Sequence, residues 1–455
     1  MSELELGCAD APLLVDLYEL TMLQAYWREG LEDTAVFELA FRSLPERRNY
    51  ALACGLDDVL GFLERLRFER PALDRLASLG APFSDAFLRR LESLRFEGDV
   101  LALPEGTPVF PNEPLLQVVA CLPVAQLVES FVLNQIHHQT VVASKAARVV
   151  AAAAGRRVVD FGMRRMHGTD AALKGARACW IAGVDATSNV LAALRYGIPA
   201  SGTMAHSYVQ AHGSEAAALR AFAALYPETT LLVDTYDTEE GVRRVVELAR
   251  ELGPDFRVRA VRIDSGDLAA LALAARGILD AAGLQRVEIF ASGGLDEERI
   301  DALVRAGAPI DGFGVGTHMG VSSDAPELDM AYKLVAYAGE SRLKTSPGKE
   351  LLPGRKQVFR VEEAGRAVRD VLGREGERGP GRPLLEPVMR KGQRIGAGRA
   401  SLADARARAA AELAKLPEPV RALAPARPPY PVEISPALRE EARNVRERVV
   451  PGPAR

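Results

Sequence analysis

The feature that most constrains this chain of 455 residues is an alternation that begins near residue 155. A long helical stretch, 126–154, ends at Gly155. Short apolar runs then alternate with helical runs: 157–161 (RVVDF), 198–203 (IPASGT), 230–234 (TLLVD), 258–264 (VRAVRID), 287–291 (VEIFA) and 310–315 (IDGFGV). Helical patterns fall between them, at 238–252 and 296–306 for example. Continuous apolar strands flanked by helices are the pattern of a parallel sheet buried on both faces. At least six βα units therefore predict a barrel or a doubly wound sheet.

The N-terminal part reads differently. Residues 13–30 have helical apolar spacing and end at Gly30, a helix-stop signal, and 34–42 (TAVFELAFR) has strand content. Residues 55–66 and 71–95 read as helices with a break at Gly80-Ala-Pro82, and 99–120 reads as short strands punctuated by Pro and Gly. Helices and strands without strict alternation predict an α+β domain over 1–125, before the alternating α/β domain over 126–345. Twelve of the 28 prolines lie between Pro380 and Pro453. Two readings of 346–455 are open: a partly ordered tail, or strands and a helix (400–415) that return to cover the N-terminal domain. The second is favoured, because 355–372 and 382–390 keep apolar residues at strand-like spacing.

Composition narrows the function. Net charge is −4, so no global nucleic-acid footprint exists, and no nucleic-acid partner is expected. Apolar residues at 48% and charged residues at 26% describe a globular chain with ample core. Cys8, Cys54, Cys121 and Cys179 form no CxxC pair, which argues against a zinc site or a disulfide framework. His137-His138 lies in a helical stretch, where adjacent residues do not share a face, so a paired metal site there is not expected. The acidic start, Met1 to Leu6, has no basic or apolar leader segment, and no apolar run reaches the ~18 residues of a membrane span. The expectation is a cytoplasmic protein without a membrane partner.

Polar residues collect at the strand ends: Asp160-Phe-Gly-Met-Arg164, Gly202-Thr-Met-Ala-His206-Ser207, Asp234-Thr-Tyr-Asp237, Asp264-Ser-Gly-Asp267, Ser292-Gly-Gly294 and Gly314-Val-Gly-Thr-His318. In an α/β barrel such loops share one face, and active sites form there. Helix capping and turns explain one or two of these loops, but less well why an Arg and a His accompany them. Ser292-Gly293-Gly294 and Gly314-Val-Gly316-Thr317 would offer backbone N–H groups to a phosphate. Arg262 and Asp264 fall two residues apart, on one face of a strand. They form either an internal salt bridge or an anion-binding Arg beside an Asp for sugar hydroxyls or Mg²⁺. His206, between Thr203 and Ser207, is either a neutral core histidine or a nucleophile or acid/base.

Jointly the motifs resemble the nicotinate phosphoribosyltransferase family, within the type II phosphoribosyltransferases. The matching strings are Asp16-Leu-Tyr18-Glu-Leu-Thr21-Met22, Phe41-Arg42-Ser-Leu-Pro45 with Arg48-Asn49-Tyr50, Asp160-Phe-Gly-Met-Arg164-Arg165, Asp185-Ala-Thr-Ser-Asn189, Gly202 to Ser207, Arg262-Ile-Asp264-Ser-Gly266-Asp267 and Gly314-Val-Gly316-Thr317. The resemblance implies an irregular parallel α/β barrel plus an α+β sandwich domain, in a homodimer with shared active sites. It implies transfer of phosphoribosyl from phosphoribosyl pyrophosphate (PRPP) to nicotinate, coupled to ATP hydrolysis, with Mg²⁺, as the entry step of NAD salvage. His206 would be phosphorylated from ATP. Asp264 would hold the ribose hydroxyls, and Arg262 would stand near the ring and phosphate. Phe161, with Tyr18 of the partner chain, would stack on the pyridine. Arg164 would bind anionic oxygens, and Asp185 aligns with a carboxylate that contacts the amide in the nicotinamide-using relative. Gly202, Thr203 and Ser207 would line the substrate site. Ser292, Gly293, Gly294, Gly314, Gly316 and Thr317 would hold the 5′-phosphate.

Two alternatives remain at this point. One is a nicotinamide or quinolinate phosphoribosyltransferase; quinolinate would want a denser Arg/Lys cluster. The other is a non-catalytic barrel that binds phosphorylated ligands, against which His206, Arg262 and Asp264 speak together.

Overall fold

The computed structural model describes residues 10–80, 83–345 and 352–449. Met1 to Leu6, Cys8, Ala81 and Pro82 of the expected helix break, the stretch 346–351 at the expected domain boundary, and Pro451 and Pro453 lie outside the described residues. The chain divides into two compact units, Lys145–Pro326 and a unit that joins Met1–Ser144 to Glu327–Arg455. The divisions thus differ from the boundaries expected at 125 and 345. The reason at the second is a ladder: the strand Met330–Tyr337 pairs antiparallel with Thr34–Phe41, which takes this segment out of the barrel.

The Lys145–Pro326 unit is built on six parallel strands: β1 (Arg157–Asp160), β2 (Ala186–Thr187), β3 (Thr230–Leu232), β4 (Ala260–Ile263), β5 (Glu288–Ser292) and β6 (Gly312–Val315). Their order is β2-β1-β6-β5-β4-β3, every pair parallel. That is a barrel wound in sequence order and left open between β2 and β3, a curled half-barrel. All four residues of β6 are buried, as in strands covered on both faces. Helices Thr238–Leu252 and Glu297–Arg305 follow β3 and β5. Each opens on an aspartate cap: Asp237 accepts the Glu240 N–H and Asp296 the Arg299 N–H, both at 2.8 Å.

One expected strand is absent. Segment 198–203 makes only the isolated bridge Thr187↔Ala200, and the strand next to β1 is Ala186–Thr187 instead. Pro199 has no N–H to give a ladder, and Gly202 has no side chain to pack. The segment therefore runs beside the open seam without closing it.

The other unit carries an antiparallel seven-stranded sheet. The segments Thr34–Phe41, Pro114–Cys121 and Asp99–Ala102 lie side by side in it, and Glu386–Arg390 pairs with Asp99–Ala102. The proline-rich C-terminal segment therefore returns to the N-terminal sheet. A second sheet joins Lys356–Glu363, Arg366–Arg374, Arg382–Pro383 and Val432–Ile434. Asn49 latches the same segment: its amide donates to the carbonyls of Ala422 and Ala424 at 3.0 and 2.9 Å, and its oxygen accepts the Ala426 N–H at 2.8 Å. The helix Leu402–Lys415 opens with a capping box between Ser401 and Asp404. Leu17–Glu29 ends at Gly30, which takes the left-handed conformation (φ 72°) of a helix stop. Among the described residues Cys54, Cys121 and Cys179 form no disulfide. Among the described residues no helix is long and apolar enough to cross a membrane.

Candidate active site

The site assembles at the C-terminal ends of the parallel strands. β1 ends at Asp160, whose buried carboxylate accepts the Gly162 N–H and the Thr187 hydroxyl, both at 2.8 Å. Burial raises its pKa against these two bonds. The bonds fix the turn that presents Phe161 and Arg164.

Phe161 is half-buried, and its ring occupies the place of a side chain at position 314. A Cβ on Gly314 would lie 2.4 Å from Phe161 Cε2. Gly314 was expected to bind phosphate through its backbone. It is an interior residue of β6, laddered between Val159 and Ser292, and the Phe161 ring lies against it. Phe290 packs on the same ring at 6.1 Å between centroids, which limits its retreat. Gly314→Ala is therefore expected to displace the aromatic platform. The apparent KM for a planar ring substrate should rise about tenfold or more, with the KM for a phosphorylated co-substrate changing less; a steady-state comparison of the two KM values checks this.

Arg262 stands on β4 with its guanidinium carbon 5.9 Å from the centre of the Phe161 ring. Its Nη1 donates to the Thr203 hydroxyl, while its buried Nε has no partner. Among the described residues it forms no ion pair, so the internal salt bridge with Asp264 is not the arrangement found. Burial lowers its pKa, the charges of Asp264 and Asp234 pull it back up, and Arg164 pushes it down. Arg164 is exposed. Two guanidinium groups thus repel each other across a space that an anion would neutralise.

Asp264 directly follows the same strand. Its N–H donates to Asp234 Oδ2 at 2.8 Å, and the Ser265 hydroxyl donates to that oxygen at 2.8 Å. Its carboxylate accepts from the Ser292 hydroxyl and lies 3.9 Å from His206 Nε2. Ser292, expected at the phosphate, is the last residue of β5, and its hydroxyl donates to Asp264. Gly293 is required at its place: its φ is 92°, and a Cβ would meet the Asp264 carbonyl oxygen at 1.7 Å. Gly294 continues the turn at φ 61° and leads into Glu297–Arg305. Gly316 caps the short helix Thr317–Gly320 on the neighbouring strand.

His206 opens the short helix His206–Gln210, and its Nδ1 lies 3.1 Å from the Thr235 hydroxyl. It is neither deeply buried nor apolar in surroundings, with 39% of its side chain exposed. Gly202 and Ser207 are exposed beside it. Gly202 and Thr203 line a cavity of about 840 Å³ with Phe222, Tyr226, Glu228 and Arg257.

Asp185 is not brought to this face. Its carboxylate accepts the Val158 N–H at 2.9 Å, one residue before β2 begins. The residue of that motif which reaches the strand end is Thr187, through Asp160. Tyr18 lies in the other unit, in the first turn of Leu17–Glu29, where burial and the neighbouring Glu129 carboxylate raise its pKa. His137 Nε2 accepts the Leu328 N–H at 3.0 Å, and no cluster of metal-ligating side chains occurs among the described residues. Asp234 and Thr235 were visible only as one strand-end string. Their task, holding Asp264 and His206, is tertiary.

A parallel half-barrel whose strand ends gather two arginines, an aspartate, a histidine and glycine turns around an aromatic platform is an enzyme scaffold for anionic, phosphorylated substrates. Two family models match, "nicotinate phosphoribosyltransferase (NAPRTase) N-terminal domain" over residues 13–137 and "nicotinate phosphoribosyltransferase (NAPRTase) family" over 156–349. The chain belongs to the nicotinate phosphoribosyltransferase family. It is 60% identical over 423 residues to nicotinate phosphoribosyltransferase pncB2 of Mycobacterium tuberculosis, covering 93% of this chain and 91% of that one. It is 34% identical to human nicotinate phosphoribosyltransferase, covering 86% and 83%. The crystal structure of human nicotinic acid phosphoribosyltransferase superposes with a TM-score of 0.83 at 31% identity, covering 95% of this chain and 99% of that one.

Proposed function

We propose that the protein transfers the phosphoribosyl group of PRPP to the ring nitrogen of nicotinate. The products are nicotinate mononucleotide and pyrophosphate, and the reaction is the entry step of NAD salvage. The observation that carries this reading is Arg262, half-buried without a carboxylate partner, 5.9 Å from the Phe161 ring and two residues from Asp264.

The C–O bond to pyrophosphate breaks as the ring nitrogen approaches, so positive charge develops at the ribose carbon. Such a reaction needs placement and electrostatics more than covalent help. Phe161 supports the pyridine plane, and Arg262 with Arg164 neutralises the carboxylate and phosphate oxygens. Asp264 accepts from the ribose hydroxyls, oriented by Ser292 and Asp234. Gly293, Gly294, Gly316 and Thr317 offer backbone N–H groups to the 5′-phosphate. Magnesium commonly binds through one or two carboxylates plus substrate phosphates, and the residues fit that pattern: Asp234 Oδ1 is buried without a partner near the partly exposed Asp264. Asp234 and Asp264 would hold the ion, which supplies charge neutralisation to the departing pyrophosphate. Tyr18 would complete the pyridine sandwich in a partner chain's site, which makes the homodimer part of the reading.

ATP hydrolysis would be coupled through phosphorylation of His206. The imidazole nitrogen attacks the γ-phosphorus and the bond to the ADP oxygen breaks. Water later cleaves the phosphoramidate to free phosphate. His206→Ala is expected to lose ATP hydrolysis and ATP stimulation yet keep a slow ATP-independent formation of nicotinate mononucleotide. Product analysis with and without Mg-ATP, alongside acid-labile, base-stable labelling from γ-labelled ATP, tests it. Undiminished labelling in His206→Ala would overturn the assignment.

A further inference from the structure

One cluster of buried charges in the Lys145–Pro326 unit plays no part in the site above. Lys145, only 2% exposed, makes ion pairs with two carboxylates: Glu297 Oε2, and Asp324 Oδ1 at 2.7 Å. Arg148, one helical turn on, donates from Nε to Glu297 Oε1 at 2.9 Å. Burial works against ionisation of Glu297, but the Lys145 charge and the bonds from Lys145 and Arg148 hold it below the usual carboxylate range.

The two carboxylates are placed tellingly. Glu297 is the first residue of the helix that follows the Ser292-Gly293-Gly294 turn. Asp324 follows the short helix that begins after Gly316. The two turns leave the adjacent strands β5 and β6, paired at Ser292↔Gly314. One ammonium group therefore ties together the segments that continue from both glycine turns.

A buried ion pair is weak evidence for stability, because desolvation offsets its Coulomb gain. Hydrophobic residues of the same volume would pack such a place as well. What the charges supply is a fixed spacing. We propose that Lys145 is a positioning residue for the 5′-phosphate: by bridging Glu297 and Asp324 it sets the distance between the Gly293-Gly294 and Gly316-Thr317 turns. This rests on the reading of those turns as the phosphate site. A phosphate gripped from two turns at once is sensitive to their separation, and a misplacement of about 1 Å can cost 10²-fold.

Lys145→Met would remove the buried ammonium between Glu297 and Asp324 and threatens folding outright. Asp324→Ala is the cleaner test, because Asp324 is 20% exposed and the Lys145–Glu297–Arg148 group survives. The expected result is a rise of roughly ten- to a hundredfold in the KM for PRPP, with kcat and the nicotinate KM within about twofold. Asp324→Asn, which keeps an acceptor oxygen, should recover part of the loss. Gly294→Ala, strained at φ 61°, should raise the same KM if the turn binds phosphate. A rise with Gly294→Ala, but only a lower melting temperature with Asp324→Ala, would overturn the role of Lys145 and leave the phosphate reading standing. An unchanged PRPP KM in Gly294→Ala would overturn the phosphate reading, and the proposal with it.

Discussion

Asp264→Ala is expected to abolish turnover while the protein stays folded. The side chain sits at the end of β4, about one-third exposed (35%), so its removal opens no cavity in the core. Its carboxylate accepts from Ser292 and stands 3.9 Å from His206, with its backbone pinned to Asp234. Two hydrogen bonds from ribose hydroxyls to a carboxylate would contribute about 1.5–3 kcal/mol each. Losing both lowers the rate by roughly 10²–10⁴-fold, before any effect on the metal. Steady-state pyrophosphate release gives the rate, and a thermal melt within a few degrees of the unmodified protein shows that the fold survives. A variant that keeps most of its activity would remove Asp264 from the reacting centre.

Arg262→Lys is expected to damage activity far more than conservation of charge suggests. The guanidinium donates to Thr203 while its plane remains near Phe161, and a lysine ammonium cannot make both contacts from one rigid fork. The loss should be about 1.5–3 kcal/mol, or roughly ten- to a hundredfold in kcat/KM. Because Arg262 has no ion-pair partner among the described residues, the melting temperature should change little. A lysine that works as well as arginine would leave Arg262 a packing residue.

These residues were legible because strand-end chemistry is local. Asp160, Asp264 and the Gly293-Gly294 turn each combine an apolar run with a polar or glycine stop, and the structure puts each at the strand end. Segment 198–203 misleads because a short apolar run does not by itself report a strand: only Ile198 is buried, and with Pro199 lacking an N–H the pairing stops at the single bridge to Thr187. The real neighbour of β1 is two residues long, too short to leave a pattern. Gly314 looks like a phosphate-loop glycine in sequence. Its cause is the Phe161 ring, brought in from another strand, and no spacing rule reports that. Asp185 and Thr187 are two residues apart, but Asp185 lies just before β2 and bonds back to Val158, and only Thr187 reaches the loop face. The bond of Thr203 to Arg262 and the Lys145 bridge join residues distant in sequence. Such pairs become visible only when the strands are in place.

The site is expected to select nicotinate as the acceptor of phosphoribosyl. A competition assay tests it most directly: equal concentrations of nicotinate, nicotinamide and quinolinate, limiting PRPP, and mononucleotide products separated and quantified. Nicotinate mononucleotide is expected to dominate, since Arg262, without a carboxylate partner and beside Arg164, favours a ring carrying a carboxylate over a neutral amide. Preferential formation of nicotinamide mononucleotide, or of product from quinolinate, would contradict it.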